Sequence, residues 1–209
     1  MVIRDWSSDV CSSDLGFQFH SGLGDTAWML YGLVRSMKPE VCVEIGSARG
    51  KSACFIGLAL KHNRRGRLHA IDPHAATGWN DTDSVESLPL MERHLRMAGV
   101  RGGVQVVQKT SADAARDWGL PIDMIFIDGD HSYAGVKGDW ERFSPHLKET
   151  GIAVFHDTLW ELEPDPRFAR NDMGVPRFVE ELRVLGYPVL TIARDYGVSV
   201  VQPIRGGMR

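Results

Sequence analysis

The chain has 209 residues, of which 43% are hydrophobic and 24% charged, and this balance is ordinary for a soluble globular protein of one domain. The formal net charge of -3 provides no broad basic surface, which argues against nucleic acid or an anionic membrane as the partner. No apolar run approaches the length needed to cross a bilayer.

The first segment of the chain has neither a helical nor a strand period. The stretch DWSSDVCSSDL contains SSD twice and resembles the translation of a sequencing adapter, a contaminant of metagenome-derived gene models. It is too polar for a signal peptide. We therefore expect residues 1–15 to be a non-native leader, with Cys11 accidental, and residues 16–209 to form one domain. Cys42 and Cys54 lie in apolar segments, so we expect both to be small core residues. Free core cysteines are typical of a reducing compartment, and we expect the protein to be cytoplasmic.

From Asp25 onward, helical and strand patterns alternate along the chain. Asp25 can cap a helix that ends before Pro39. Five short apolar runs predict buried strands: 41–46, 68–72, 104–109, 124–128 and 152–157. Helical patterns separate these strands, and one apolar stripe runs from Tyr133 to Leu147. The segment VLTIARDYGVSVVQ predicts two further strands joined by a turn at 195–197.

Strands separated by helices predict a Rossmann-like, doubly wound α/β fold. Its seven-stranded sheet should be mostly parallel, with one antiparallel strand near the C-terminus. Ligands of such sheets bind at the carboxyl ends of the strands. Four acids stand at those ends: Glu44, Asp72, Asp128 and Asp157. Loop polarity explains any one of them, but four on one rim indicate a site.

The first glycine turn, VEIGSARGKS, admits three interpretations. A phosphate-binding P-loop would require glycine at position 45, where this chain has Ile45, and the loop is one residue too short to enclose a phosphate. A dinucleotide fingerprint would require glycine at position 48, which is Ala48. A third interpretation fits more residues than either of these.

The chain resembles the class I S-adenosylmethionine-dependent methyltransferases in three motifs. These are E-x-G-x-x-x-G after the first strand, an acid at the end of the second strand and Ser-Ala-Asp after the third strand. The segment IDGDHSYAGVKGDWERFSPHLKETGIAVFHDT is similar to the small O-methyltransferases of methyltransferase family 24 and to metal-dependent sugar and antibiotic-tailoring O-methyltransferases. The resemblance covers about residues 25–202. It implies S-adenosylmethionine as cofactor and a small-molecule hydroxyl as acceptor, and it leaves a homodimer open.

The resemblance implies that the cofactor lies along this rim. Gly46 and Gly50 would let the backbone approach its amino-acid end without a Cβ clash, and Glu44 would accept from its ammonium group. Asp72 matches the acid that binds the ribose hydroxyls. The other implied cofactor contacts are Ser47, Ser52, Ser111, Asp113 and Asp128. Ser111 and Asp113 match adenine contacts of the family, but a helix N-cap explains each equally well.

Methyl transfer to a hydroxyl also requires that its proton be removed. The metal-dependent relatives hold a divalent ion at positions that match Asp128, His156 and Asp157, and their general base matches His131. His156 departs from the oxygen ligands of the family, so imidazole would shift the preference from magnesium toward manganese, iron or zinc. Two alternatives stay open: His156 can point into the core, with or without a metal on the acids, and His131 can be a helix N-cap.

The acceptor pocket is expected beneath the helix at 25–37, the 74–90 segment and the insertion at 159–175. Three large side chains are candidates for its lining: Trp79, Trp160 and Arg167. Two rival functions stay open. An NAD-dependent oxidoreductase would require hydride-transfer machinery, and we expect no Tyr-x-x-x-Lys pair after a suitable strand. A non-catalytic, nucleoside-binding relative would keep the cofactor site and lack methyl transfer.

Overall fold

The computed structural model describes residues 19, 21–75, 87–160 and 173–204. The predicted leader lies outside these residues, as do Trp79 and Arg167. Among the described helices, none combines the length and the apolar character that crossing a membrane requires.

Helices and strands alternate along the chain, as the sequence predicts. In chain order they are α1 (Thr26–Met37), β1 (Val41–Ile45), α2 (Lys51–Asn63), β2 (Arg67–Ile71), α3 (Ser87–Met97), β3 (Val104–Val107), α4 (Ser111–Arg116), β4 (Ile122–Ile127), α5 (Tyr133–Phe143), β5 (Leu147–His156), α6 (Val175–Val184), β6 (Val189–Ile192) and β7 (Val198–Val201). Short 3-10 turns at Arg101–Gly103 and Ser144–His146 precede β3 and β5.

The strands form one seven-stranded sheet in the order β3-β2-β1-β4-β5-β7-β6. The first five strands of the chain are parallel, and β7 runs antiparallel to both of its neighbours. This confirms the predicted fold, including its single antiparallel strand. The order reverses where β1 pairs with β4, and Ile45 lies opposite Ile127 there. The loops that follow these two strands are therefore neighbours, at the point where such sheets bind ligands.

Helices cover both faces of the sheet, which explains the continuous apolar runs of its strands. In β1, Cys42 belongs to the core on the side of α1, α2 and α3, whereas Val43 belongs to the core on the side of α5 and α6. In β4, Met124 belongs to the first of these cores and Ile125 to the second. These strands are buried on both faces, and Glu44, Asp72, Asp128 and Asp157 come at or directly after their carboxyl ends.

The predicted extension of α5 to Leu147 is wrong. The helix ends at Phe143, and Leu147 is the first residue of β5, where it pairs with Ile122. Pro145 explains the difference, because proline has no N–H to continue the helical hydrogen bonds, and the chain passes into the 3-10 turn at Ser144–His146. Strand β5 therefore begins earlier than the predicted residue 152.

The predicted cap of α1 is also supplied differently. Asp25 occupies the N-cap position but makes no side-chain capping bond. Its carboxylate instead pairs with Arg194 at 2.9 Å. Asp195, in the turn between β6 and β7, accepts hydrogen bonds from both the N–H and the hydroxyl of Thr26, each at 2.8 Å. The first helix is thus capped by a residue from the far end of the chain.

Candidate active site

The glycine loop after β1 fits closely against the loop after β4. Gly46 has a φ of 85°, and a Cβ at this position would lie 2.1 Å from the carbonyl oxygen of Asp128. Only glycine combines this conformation with this approach. The N–H of Gly46 donates to the carbonyl of Ile71 at 3.0 Å, and the N–H of Asp128 donates to the carbonyl of Ile45 at 2.9 Å. The loop is therefore held between the ends of β2 and β4.

Glu44 is a fully buried acid beneath this loop. Neither of its carboxylate oxygens has a hydrogen-bond partner among the described residues, and the same is true of the Ser47 hydroxyl. Burial raises the pKa of Glu44 to about 7, although the nearby hydroxyls of Ser52 and Ser47 oppose the rise without making well-formed hydrogen bonds to it. A buried carboxyl group without a partner is costly, which favours a ligand that would bring a donor.

Asp72, at the end of β2, binds the loop from the other side. One of its oxygens accepts from the N–H of Ala48 at 2.8 Å, and the other accepts from the N–H of His74 at 2.6 Å. A carboxylate offers about four lone-pair positions, so each oxygen can still accept from a ligand hydroxyl. Asp72 therefore shapes the glycine loop and retains the capacity to bind a ribose.

The two predicted adenine contacts separate in the structure. Asp113 lies in a surface cluster, where it accepts from the Thr110 hydroxyl at 2.8 Å and pairs with Arg116 at 3.0 Å. Thr110, rather than Ser111, is the N-cap of α4. The hydroxyl of Ser111 donates instead to the buried carboxylate of Asp139 on α5. Ser111 faces the interior of the protein and Asp113 does not.

Asp139 is a residue that the sequence analysis missed. Burial raises its pKa to about 6, against the opposing effects of Ser111 and Arg142. A Cβ placed on Gly129, in the loop after β4, would lie 3.5 Å from an Asp139 oxygen. The available signal was an acid beside Trp140 on the apolar stripe of α5, where a buried carboxylate needs a partner.

Four side chains meet where β4 and β5 end. Nε2 of His131 lies 3.4 Å from Oδ1 of Asp128 and 3.4 Å from Oδ2 of Asp157. Nδ1 of His156 lies 3.2 Å from Oδ1 of Asp128 and 3.1 Å from Oδ1 of Asp157. Asp157 has a φ of 59°, a left-handed conformation that is uncommon for residues other than glycine. Two carboxylates and two imidazoles thus alternate around one small space.

The charges of this cluster support one another. Burial opposes a charge on His156, but Asp128 and Asp157 outweigh it and raise the pKa of the ring to about 11. The pKa of His131 is likewise raised against its burial by a hydrogen bond to Asp128 and by the charge of Asp157. The pKa of Asp128 is held well below its usual range, because the two histidines outweigh its burial.

The donor set of this cluster fits a divalent metal ion. One ligand atom from each of Asp128, His131 and Asp157 lies within 4.8 Å of the others. His156 presents Nδ1 to the same two carboxylates, while its Nε2 is buried without a hydrogen-bond partner among the described residues. It therefore does not turn wholly into the core, the alternative considered from the sequence. Two carboxylates with an imidazole suit manganese, iron or zinc better than magnesium.

The turn that carries His131 is fixed on several sides. Ser132, not His131, is the N-cap of α5, and its hydroxyl accepts from the N–H of Gly135 at 3.0 Å. Asp130 accepts from the N–H of Ser132 at 2.9 Å and is exposed. The carbonyl of His131 accepts from the N–H of Gly174 at 2.8 Å. The side chain of His131 is therefore not needed to cap the helix.

The expectation that no Tyr-x-x-x-Lys pair follows a suitable strand is wrong, because Tyr133 and Lys137 have this spacing directly after β4. Nζ of Lys137 donates to the Tyr133 hydroxyl at 3.2 Å and to Glu181 at 3.0 Å, and the Tyr133 hydroxyl also donates to Glu181. These contacts join α5 to α6. The pair therefore has a structural explanation and gives no support to the oxidoreductase alternative.

Comparison with known families decides the class of protein. The model of a methyltransferase domain, that of methyltransferase family 24, matches residues 43–158, which is more than half of the chain. The chain belongs to this methyltransferase family. The matched range contains the glycine loop, the acids that end β1, β2 and β4, and the whole histidine–carboxylate cluster.

Two curated relatives of this methyltransferase are uncharacterized proteins. One, from Sinorhizobium fredii, is 27% identical over 186 residues, which cover 84% of this chain and 19% of that protein. The other, from Acanthamoeba polyphaga mimivirus, is 30% identical over 122 residues, which cover 55% of this chain and 50% of that protein. The chain thus spans about a fifth of the first relative and half of the second.

Solved methyltransferases share the fold. An O-methyltransferase from Bacillus cereus in complex with SAH has a TM-score of 0.68 at 18% identity, covering 95% of this chain and 96% of that one. A methyltransferase from Geobacter sulfurreducens has a TM-score of 0.67 at 20% identity, covering 98% and 91%. TomG, an O-methyltransferase from Streptomyces achromogenes in complex with SAM, has a TM-score of 0.66 at 18% identity, covering 96% and 90%. At these identities the likeness establishes the fold.

Proposed function

We propose that the protein transfers a methyl group from S-adenosylmethionine to a hydroxyl of a small molecule, with His131 as the general base. One observation carries the proposal. Nε2 of His131 lies between two carboxylates, and the backbone of one of them, Asp128, lies against the glycine loop that follows a buried, unpartnered acid. The cofactors bound by the Bacillus cereus and Streptomyces achromogenes proteins support the same assignment.

The cofactor would lie along the ends of β1 and β2. S-adenosylmethionine carries an ammonium and a sulfonium group, and Glu44 is the acid on this rim that has no partner of its own. The ammonium group would satisfy it, directly or through water. The free lone pairs of Asp72 would accept from the two ribose hydroxyls. Gly46 and Gly50, both with positive φ, would act on the cofactor by shaping the loop. The Cβ positions that they lack point at Asp128 and Met91, so the expected room for the cofactor is not what requires these glycines.

The acceptor hydroxyl would lie at the His131 side of the cluster. S-adenosylmethionine would supply an electrophilic methyl group to this oxygen and keep the electron pair of the carbon–sulfur bond on sulfur, and Nε2 of His131 would take the proton of the hydroxyl. Asp128 and Asp157 orient that nitrogen and stabilise the imidazolium that forms. A divalent ion would be held by Asp128, Asp157 and His156, since Nε2 of His131 cannot bind a metal and accept the proton at the same time, and it would supply a Lewis acid that lowers the pKa of the hydroxyl.

Ligand binding and turnover test this proposal together. Calorimetry should give binding of S-adenosylmethionine and S-adenosylhomocysteine, and none of comparable strength for NAD or ATP with magnesium. A panel of phenols and sugars, supplied with S-adenosylmethionine, should then yield a methyl ether.

Tight cofactor binding with no methyl transfer to any acceptor would favour the non-catalytic alternative. NAD as the tightest ligand would favour an oxidoreductase. Full activity in the presence of a chelator would remove the metal from the mechanism and leave His131 as the base alone.

A further inference from the structure

Helix α3 packs against one side of the glycine loop. A Cβ on Gly50 would lie 2.8 Å from Cγ of Met91, so the helix and the loop are in direct contact. His94, three residues further along α3, is fully buried, and its Nδ1 lies 2.7 Å from the carbonyl oxygen of Arg49. A carbonyl oxygen can only accept, so Nδ1 carries the proton and donates it to this bond. A side chain of α3 thus binds the backbone of the loop.

The Arg49 carbonyl lies where the loop passes into α2. The residues on either side of it are left-handed, with φ values of 42° at Ala48 and 83° at Gly50. The N–H of Gly50 donates to the carbonyl of Ser47 at 2.7 Å, which closes a tight turn over Ala48 and Arg49. A residue other than glycine keeps this conformation only where its surroundings hold it. The bond from His94 holds this turn from the side of α3.

His94 is itself held in one place. The ring of Phe19 packs against it, with 4.6 Å between the ring centroids. At the start of α3, the Ser87 hydroxyl lies 2.9 Å from Nδ1 of His74, which joins the helix to the segment after β2. Burial lowers the pKa of His94, although its bond to Arg49 opposes the change, so the ring is neutral at physiological pH. A neutral, buried imidazole with one fixed donor can hold a single acceptor in place.

The loop is attached to β2 and to α3 by independent bonds. On the side of β2, the N–H of Ala48 donates to Asp72 at 2.8 Å. On the side of α3, Nδ1 of His94 donates to Arg49. Loss of the second bond would therefore release the Arg49 end of the loop and leave Asp72, the acid proposed for the ribose, in place.

We propose that His94 is a positioning residue of the cofactor site, which fixes the glycine loop in the shape that receives the amino-acid end of S-adenosylmethionine. The inference rests on the proposed function, because that function assigns the amino-acid end to Glu44 and this loop. A loop that is already held in its binding shape loses less conformational freedom on binding, so more of the interaction free energy is retained as affinity. His94 acts through Arg49 rather than by touching the cofactor.

Two ligands separate this role from a general effect on folding. S-adenosylhomocysteine contains the amino-acid end, whereas methylthioadenosine has the same nucleoside and lacks that end. His94→Leu removes the donor and should weaken S-adenosylhomocysteine binding about tenfold, while the affinity for methylthioadenosine changes by less than about twofold. Calorimetry measures both affinities at a temperature at which each variant is folded.

His94→Asn tests the donor itself. The amide nitrogen of asparagine is as many bonds from the backbone as Nδ1 of histidine, so this variant should keep both affinities within about threefold of the wild type. His94→Gln places its amide one bond further out and should show the same selective loss as His94→Leu, so the result does not depend on one variant.

Leu95→Ala is the matched control on the same helix. It removes a fully buried side chain at the next position of α3 and should lower Tm, because it leaves a cavity in the core. The ratio of the two affinities should stay at the wild-type value, because the bond to Arg49 is retained.

Each outcome bears on a different claim. An unchanged affinity for S-adenosylhomocysteine in His94→Leu and His94→Gln, or an equal loss of both ligands, would overturn the positioning role. A selective loss in Leu95→Ala, or one as large in His94→Asn as in His94→Leu, would do the same. If the wild type binds S-adenosylhomocysteine in those cases, the proposed function stands without this role for His94. Failure of the wild type to bind it would overturn the proposed function and the inference with it.

Discussion

Acids line both halves of the sheet rim, but the two halves compensate their charge differently. At the end of β1, Glu44 is buried without a partner and its pKa is raised to about 7. At the end of β4, Asp128 faces two histidines, and its pKa is held well below the usual range. Among the described residues Glu44 has no hydrogen-bond partner, whereas Asp128 has two imidazoles beside it.

This difference matches the chemistry proposed for each half. A cofactor with an ammonium and a sulfonium group brings positive charge with it. Its site therefore gains from an acid that has no partner within the protein. A proton from the acceptor must be taken up by the protein itself, and His131 provides a resident group between two carboxylates that stabilise its charged form. The following substitutions test the two halves separately.

The largest effect is expected at His131. His131→Ala should lower kcat by about 10²–10⁴-fold, the usual range for loss of a general base, while the affinity for S-adenosylhomocysteine stays within twofold. The pKa of His131 is raised by its carboxylate neighbours. The basic form of His131 is therefore reached only at higher pH. A plot of kcat/KM of the wild type against pH should rise with a midpoint above the ordinary histidine pKa of about 6.5.

Steady-state kinetics across pH, with an acceptor found in the panel, measures both quantities. His146→Ala removes a histidine in the 3-10 turn before β5 and is the matched control. A rate equal to that of the wild type in His131→Ala would return His131 to a structural role.

The next effect is on stability, at His156. His156→Gln in chelator-treated protein should lower the free energy of unfolding by about 3 kcal/mol near pH 6, the lower end for breaking a buried ion pair, because His131 alone then compensates the Asp128 and Asp157 carboxylates. The folded-state pKa is raised to about 11. The stabilisation is therefore complete below the unfolded value of about 6.5 and is lost as the pH rises through the folded value.

Urea unfolding at pH 6, 8 and 10 should accordingly show a difference between wild type and variant that shrinks with pH. A constant difference would mean that the ring stabilises the fold by its shape rather than by its charge.

Glu44 should respond in the opposite direction. Glu44→Gln should weaken S-adenosylmethionine binding roughly 10- to 100-fold, the cost of one charge-assisted hydrogen bond, yet stabilise the ligand-free protein. The raised pKa means that the folded state favours the neutral acid. The wild type therefore loses stability, by up to about 3 kcal/mol, as the pH rises from the ordinary glutamate value through 7.

Paired unfolding and calorimetry experiments at pH 5 and pH 8 measure these two changes. The variant should gain most at pH 8. Glu40→Gln, which replaces an exposed acid paired with Arg65, is the control and should change neither property. A destabilised Glu44→Gln at pH 8 would show that Glu44 has a partner in the ligand-free protein.

The smallest effects distinguish the two residues first assigned to adenine. Ser111→Ala should weaken cofactor binding severalfold, because it frees the buried Asp139 carboxylate that its hydroxyl now satisfies. Asp113→Ala should leave the affinity unchanged, since Asp113 lies in a surface cluster with Thr110 and Arg116. Calorimetry with S-adenosylhomocysteine compares them, and a larger loss in Asp113→Ala would restore its predicted role.

The sheet was predictable because its strands are buried on both faces, which leaves continuous apolar runs ending in acids. The position of α5 was predictable but its end was not, because Leu147 continues the helical stripe by chance while Pro145 stops the helix. Asp195 shows a different limit. Its capping of Thr26 joins residues 169 positions apart, and no local pattern carries such a contact.

The candidate site shows the same division. Spacing and resemblance pointed to Asp128, His131, His156 and Asp157, and these four side chains do meet in the structure. The resemblance assigned His156 to the metal and His131 to the base. In the structure both imidazoles contact both acids, so the division of roles between them stays a prediction. Asp139 was missed because an acid on an apolar stripe resembles a surface position until its burial is known.

The hydrogen bonds at the strand ends have a consequence for motion. The amides of Gly46, Asp72 and Asp128 each donate to the carbonyl of a residue on the neighbouring strand, at 3.0, 3.1 and 2.9 Å. Such amides exchange with deuterium only when the sheet opens locally. They should therefore be protected in the ligand-free protein, and addition of S-adenosylhomocysteine should slow their exchange little. The rim would then be preorganised, and most of the cofactor's binding free energy would be retained as affinity rather than spent on ordering the loops.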